Sequence, residues 1–130
     1  MTSTGWLIWC LIAFSFGSIP FGVLLAKLKK VDLRTVGSGN TGATNVGRAL
    51  GRNWGILCFV LDAAKGATPV VLAGSIAGII GQPAGALAPS EASGWLAVGV
   101  ASILGHVFSP FLNFKGGKGV ATACGALLAM

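Results

Sequence analysis

Long apolar stretches alternate with short, glycine-rich polar ones along this chain. Trp6 to Leu28 is apolar except for Gly, Ser and Pro20 until Lys27; Trp54 to Ile80 and Gly94 to Leu112 follow, and Val120 to Met130 begins a fourth stretch. A helix rises about 1.5 Å per residue and a bilayer's hydrocarbon core is about 30 Å thick, so each of the first three is long enough to span it. The fourth rises about 16 Å, roughly half the thickness, and reads as the start of a span in a chain incomplete at its C-terminus. The pattern predicts one transmembrane domain over residues 1–130, an all-α polytopic membrane helix bundle with spans at 6–28, 54–80, 94–112 and 120–130. Pro20, in the Gly17–Gly22 segment GSIPFG, removes a backbone donor and predicts a bend or unwound turn within the first span. A cleaved signal peptide does not fit that span, which has no basic leader and too long an apolar run. The segment from Gln82 to Ser93 reads as an interhelical loop.

Composition agrees: 54% of residues are hydrophobic and only 9% charged. The net charge of +6 is informative through its placement. Lys27, Lys29, Lys30, Arg34, Arg48, Arg52, Lys115 and Lys118 lie in or beside the loops after the first and third spans, and only Lys65 lies elsewhere. The positive-inside rule therefore puts both loops on one, cytoplasmic, face. Bases set between apolar segments, with no aromatic-studded basic stripe, argue against nucleic acid as a partner. Trp6, Trp9, Trp54 and Trp95 fall near span ends, as an interfacial aromatic belt would place them. Cys10, Cys58 and Cys124 are isolated in apolar runs and read as packed free thiols.

The two same-face loops carry the candidate chemistry. Phe114 to Thr122 contains Lys115 and Lys118 beside Gly116, Gly117 and Gly119. Glycines allow close backbone approach, so their N–H groups and the two ammonium groups can converge on an anion such as phosphate. Taken alone, the loop reads more readily as a basic stop at the lipid interface. The second loop contains VGSGNTGATNVGR, with Ser38, Asn40, Thr41, Thr44 and Asn45 as hydrogen-bonding groups and Arg48 as a fixed cation suited to bidentate phosphate contact. Gly37 to Gly42 satisfies GxGxxG, with Asp62 twenty residues after Gly42, but a dinucleotide site needs a βαβ unit that two membrane spans leave no room for. A solvated polar linker is the plainer alternative for this loop.

Asp62 and Lys65 stand at i, i+3 in an apolar helix, close enough to pair and so to lower the cost of burying either charge in lipid. Such a pair reads either as functional or as a packing device. His106 is the only histidine. Beside a phosphate loop it is a candidate proton acceptor or donor, and otherwise a packing residue. One histidine and separated aspartates make a poor ligand set, so no metal and no cofactor is expected. A Ser38–His106 nucleophilic pair lacks any supporting elbow motif.

Read in order, GSIPFG, VDLRTVGSGNTGATNVGR, LDAAKG and GHVFSPFLNFKGGKGVAT, with spans between them, resemble the bacterial acyl-phosphate:glycerol-3-phosphate acyltransferases, the PlsY family, from about Leu11 to the last residue. The resemblance implies an inner-membrane enzyme of about seven spans that moves an acyl group from acyl phosphate to the 1-hydroxyl of glycerol-3-phosphate. Lysophosphatidate and phosphate would be the products, with no coenzyme A or carrier protein as direct donor. It implies hand-over of acyl phosphate from the enzyme that forms it, and active-site loops on the cytoplasmic side. It marks His106, Ser38 and Lys118 as catalytic candidates, and Gly39, Asn40, Asn45, Arg48, Lys115, Gly116, Gly117 and Gly119 as substrate-binding ones. In that scheme Lys115 and Lys118 hold the donor phosphate, while Ser38, Asn40, Asn45 and Arg48 hold glycerol-3-phosphate. His106 orients or deprotonates the hydroxyl, or a substrate phosphate oxygen takes that proton instead. A third motif near the C-terminus of family members is missing from the chain. The alternatives are a membrane carrier for an organophosphate and a non-catalytic lipid-binding subunit.

Overall fold

The computed structural model describes residues 1–130, the side chain at position 84 excepted. Among the described residues the secondary structure is entirely helical: α1 Ser3–Gly17, α2 Phe21–Leu28, α3 Ala43–Leu50, α4 Arg52–Ala77, α5 Pro89–Val107 and α6 Val120–Leu128. Three segments are long and apolar enough to cross a membrane, Ser3–Leu28, Arg52–Ala77 and Pro89–Leu112. The first contains the break expected at Pro20, which separates α1 from α2.

The boundaries differ from the sequence reading for local reasons. α4 stops at Ala77 because Gly78 turns left-handed (φ +69°), and Ile79 donates back to the Gly74 carbonyl at 3.0 Å. This is a Schellman ending, which folds Ile79 into the core instead of extending the span to Ile80. α5 begins at Pro89, so much of the expected 82–93 loop is helix. Proline in the first turn needs no N–H, and the Glu91 carboxylate accepts from the Ala88 N–H at 3.2 Å. The same helix ends at Val107, not Leu112, because Ser109 precedes Pro110 and is pushed out of the helical region; Pro110–Leu112 forms a separate 3-10 turn. α3 was not foreseen as an element of its own. Gly51, at φ +103°, turns the chain between it and α4.

Reciprocal glycine contacts pack the helices. A methyl group at Gly17 would collide with the Ser102 carbonyl of α5, and one at Gly105 of α5 with the Phe14 carbonyl of α1. α4 and α6 repeat the arrangement, with Gly66 against the Thr122 carbonyl and Gly125 against that of Ala63. In lipid the hydrophobic effect does not drive helices together, so close approach of backbones through small residues supplies the van der Waals contact. Two of the four tryptophans are core residues, not the belt the sequence suggested. Trp6 lies against Gly94, and buried Trp95 donates its indole N–H to the Val70 carbonyl at 2.9 Å. Pro69 cannot donate to the carbonyl of Lys65 four residues earlier, and that carbonyl accepts from Ser102 Oγ of α5 at 3.1 Å.

Gly125→Ala is expected to destabilise the bundle by about 1–3 kcal/mol, because a methyl group would overpack against the Ala63 backbone. Gly85→Ala, with nothing within 4 Å of the added carbon, should leave stability nearly unchanged. Thermal unfolding of the two variants in detergent measures the difference.

Candidate active site

Both basic loops emerge at one end of the bundle. The Arg34 guanidinium donates to the Lys115 carbonyl, joining the first loop to the second. Between them opens a pocket of about 290 Å³ to which the first loop gives Ser38, Asn40 and Arg48, the second Lys118, and the helices beneath Asp62 and His106. Its walls also include the first residues of α3 (Ala43, Thr44) and of α6 (Val120, Ala121). Helix N-termini present unpaired N–H groups and partial positive charge, so two of them reinforce the two cations. The arrangement suits a small, strongly charged anion.

The first loop is held in shape by one side chain. Asn45, buried on α3, accepts from the Ser38 N–H at 3.1 Å through Oδ1 and donates through Nδ2 to the carbonyls of Leu33, Val36 and Asn40. Its amide is thus committed to the loop, and the residue acts on the pocket through Ser38 and Asn40. Asn40 Oδ1 in turn accepts from the Gly42 N–H at 2.8 Å at the start of α3. Ser38 and Arg48 are left exposed toward the pocket. Gly39, at φ +67°, makes the left-handed turn between Ser38 and Asn40.

The lysine loop departs from the reading of its sequence in two ways. The Gly116 N–H donates to the Val107 carbonyl at 2.9 Å and the Gly117 N–H to that of His106 at 3.3 Å. These donors cap the end of α5 and are not free for an anion; the glycines are required because a methyl at Gly116 would collide with the His106 carbonyl. Lys115 and Lys118 also part company. Asn113 and Phe114 turn left-handed before them and Gly119 after. Lys118 faces the pocket, whereas Lys115 joins Lys27, Lys30 and Arg34 around a separate recess of about 840 Å³.

Beneath the pocket lie the buried ions. Lys65 Nζ is 2.8 Å from Asp62 Oδ1, each residue 2% exposed, and donates to the Ile19 carbonyl at 2.7 Å. The expected pairing of Asp62 with Lys65 is therefore present and extends to the helix break. His106 Nδ1 lies 3.7 Å from the same carboxylate oxygen. Cys58 Sγ, 3.6 Å from Asp62 Oδ2, completes the surroundings of that carboxylate. Among the described residues no cluster of metal-ligating side chains forms. Sequence reasoning missed Phe59, which lines the pocket but has no mark within an apolar helix.

Comparison with known proteins decides the family. Residues 7–130 match the family model described as glycerol-3-phosphate acyltransferase. The chain belongs to the glycerol-3-phosphate acyltransferase family. It is 48% identical over 122 residues to the glycerol-3-phosphate acyltransferase of Aquifex aeolicus, covering 92% of this chain and 57% of that one. To the one from Trichlorobacter lovleyi it is 50% identical over 127 residues, covering 98% and 59%. Its fold matches crystal structures of PlsY (YgiH), an integral membrane glycerol 3-phosphate acyltransferase. The glycerol 3-phosphate form gives a TM-score of 0.81 at 48% identity, and the lysophosphatidic acid form 0.79 at 45%. Both alignments cover 95% of this chain and 56% of the other. The chain thus spans little more than half the length of these family members.

Asn45→Ala removes the hydrogen bonds that shape the first loop, each contributing about 1 kcal/mol. The Ser38 amide is expected to lose protection against hydrogen–deuterium exchange while amides in mid-α5 keep theirs. Unchanged protection at Ser38 would show that the loop is held by other means.

Proposed function

We propose that this chain forms the phosphate-binding rim of an acyltransferase that joins a fatty acyl group from acyl phosphate to the 1-hydroxyl of glycerol-3-phosphate. The observation that carries the reading is one pocket holding Arg48 from the first loop and Lys118 from the second, at the edge of the apolar bundle. Family membership supports the reaction class. The donor is a lipid and the acceptor a water-soluble anion, so the site must meet both phases. The pocket does so: beside the cations its wall includes Phe59 of α4, which is exposed on the surface of the bundle. The acyl chain would leave the pocket past Phe59.

In this reading Arg48, Lys118 and Ser38 bind phosphate, and the Asn45-held loop keeps Ser38 in place. His106 accepts a hydrogen bond from the glycerol hydroxyl and aims its oxygen at the acyl carbonyl. The hydroxyl oxygen forms the new ester bond as the carbonyl-to-phosphate oxygen bond breaks, and the proton leaves with the released phosphate. Acyl phosphate is a mixed anhydride with a good leaving group, so no covalent enzyme intermediate is needed. Orientation of the reactants can supply about 7–11 kcal/mol. Lysophosphatidate would be the product and stay in the membrane. The basic end would face the cytoplasm of a bacterial inner membrane, where a separate enzyme forming acyl phosphate would hand over the donor.

The test follows palmitoyl phosphate and glycerol-3-phosphate with purified protein in nanodiscs, recording phosphate and lysophosphatidate. Acylation without coenzyme A is the expected result. Its absence under conditions where the full-length Aquifex relative turns over would remove the proposal for this chain, and counterflow of labelled glycerol-3-phosphate without acylation would favour a carrier. Arg48→Ala should weaken glycerol-3-phosphate binding, and Lys118→Ala acyl phosphate binding, about 10- to 100-fold, the range of a charge-assisted hydrogen bond worth about 1.5–3 kcal/mol. His106→Ala should lower turnover on the order of 100-fold, and near-normal turnover would take histidine out of the reaction.

A further inference from the structure

We propose that Asp62 is a positioning residue, fixing His106 as the tautomer that carries its proton on Nδ1 and so presents a bare Nε2 to the pocket. Three observations lead there. His106 Nδ1 and Asp62 Oδ1 are both shut off from solvent and lie 3.7 Å apart. Oδ1 takes the charge of Lys65 but no well-aligned hydrogen bond, and Nδ1 has no other partner. A cavity of about 10 Å³, roughly one water in size, adjoins them and is lined by Ser18, Thr41, Lys65 and Ser109 as well.

A carboxylate only accepts hydrogen bonds, and a bare ring nitrogen does too. Two acceptors facing each other in a buried, low-dielectric site would repel and leave both desolvated groups unsatisfied. With the proton on Nδ1 the contact becomes a donor facing an anion, directly or through one water. Nε2 is then left with its lone pair. It lies beside Gly117, where a side chain would collide with it, and unlike Nδ1 it is not among the atoms shut off from solvent; the His106 side chain lines the pocket that holds Ser38, Arg48 and Lys118. Lys65 sets its positive charge against the Asp62 carboxyl at 2.8 Å, and is itself fixed by the Ile19 carbonyl at the helix break.

The tautomer stands on this geometry alone; its use in aiming a substrate hydroxyl rests on the reading given under Proposed function. His106 is the only histidine in the chain, so ¹⁵N-histidine NMR in mildly alkaline buffer reports it without assignment. Protonated Nδ1 and unprotonated Nε2 are expected in the unaltered protein, and the reverse pattern would overturn the proposal. Lys65 Nζ and His106 Nδ1 face the same carboxylate oxygen, so the test removes both charges together: in Asp62→Asn combined with Lys65→Met no ammonium holds the amide oxygen, the new amide N–H can turn to Nδ1, and the proton should move to Nε2. An unchanged tautomer in that folded variant would also overturn the proposal, and Asp62→Leu with Lys65→Met, which removes the acceptor altogether, must likewise lose the preference for the Nδ1–H form. In the acylation assay the Asp62→Asn, Lys65→Met variant is expected to lower kcat on the order of 100-fold or more, with the KM for glycerol-3-phosphate nearly unchanged. A purely structural role would lower the folded fraction without altering the tautomer, and failure of the acylation reading would leave the NMR result untouched.

Discussion

The ammonium group of Lys65, buried at 2% exposure inside an apolar bundle, sets the terms for everything around it. A charge in that position is tolerated only with partners within reach. One partner, Asp62, comes from the preceding turn of α4. The other comes from a distant part of the sequence: the break between α1 and α2 interrupts the helical hydrogen-bond ladder and leaves carbonyls without their usual donors. The Ile19 carbonyl then accepts from Lys65, and that of Ser18 accepts from Ser109 Oγ at 2.6 Å. A proline that would be a defect in an isolated span thus creates the acceptors that hold α2, α4 and the end of α5 together. The same logic recurs at Pro69, where the carbonyl it leaves free binds Ser102.

From that buried knot the order runs outward to the loops. His106 rests against Asp62, and its backbone carbonyl and that of Val107 receive the N–H groups of Gly117 and Gly116. The lysine loop is in this way folded onto the end of α5 by its own glycines, which frees Lys118 to face across to Arg48. On the other side Asn45 does for the first loop what the paired glycines do for the second. Each loop satisfies its backbone internally and offers side chains to the pocket, so the cations are held near one another before any ligand arrives. Preorganisation of this kind avoids the cost of ordering charges at the moment of binding.

The three long apolar helical segments, the kink at Pro20, the Asp62–Lys65 pair and the meeting of the two basic loops were legible in the sequence, because each follows from hydropathy, charge placement or helical spacing. What was not legible depended on contacts between distant segments. The spacing of Lys115 and Lys118 suggested a shared ligand, but left-handed turns at Asn113, Phe114 and Gly119 direct them to different recesses. Glycine content alone cannot tell an N–H nest from a close backbone crossing, and Gly116 and Gly117 proved to be the crossing. Trp6 and Trp95 had the sequence address of interfacial residues; only the glycine gaps at Gly94 and Gly74 show that there is room for them inside. α3 escaped notice because eight residues between two glycines carry too short a pattern to separate from the following span.

Charge balance in the pocket then narrows what it suits. Asp62 is offset by Lys65, so Arg48 and Lys118 remain as the uncompensated charges at the site, joined by the partial charges of the α3 and α6 N-termini, each about half an elementary charge. A phosphate monoester near neutral pH carries close to two negative charges. In the proposed transfer two such groups meet at the site, so these charges offset them only in part. Lys115, grouped with Lys27, Lys30 and Arg34 around the neighbouring recess, supplies positive potential along the same rim without entering that balance. A steering field beside an incompletely neutralised site is the electrostatic form expected where anions are drawn in and the released phosphate must be able to leave.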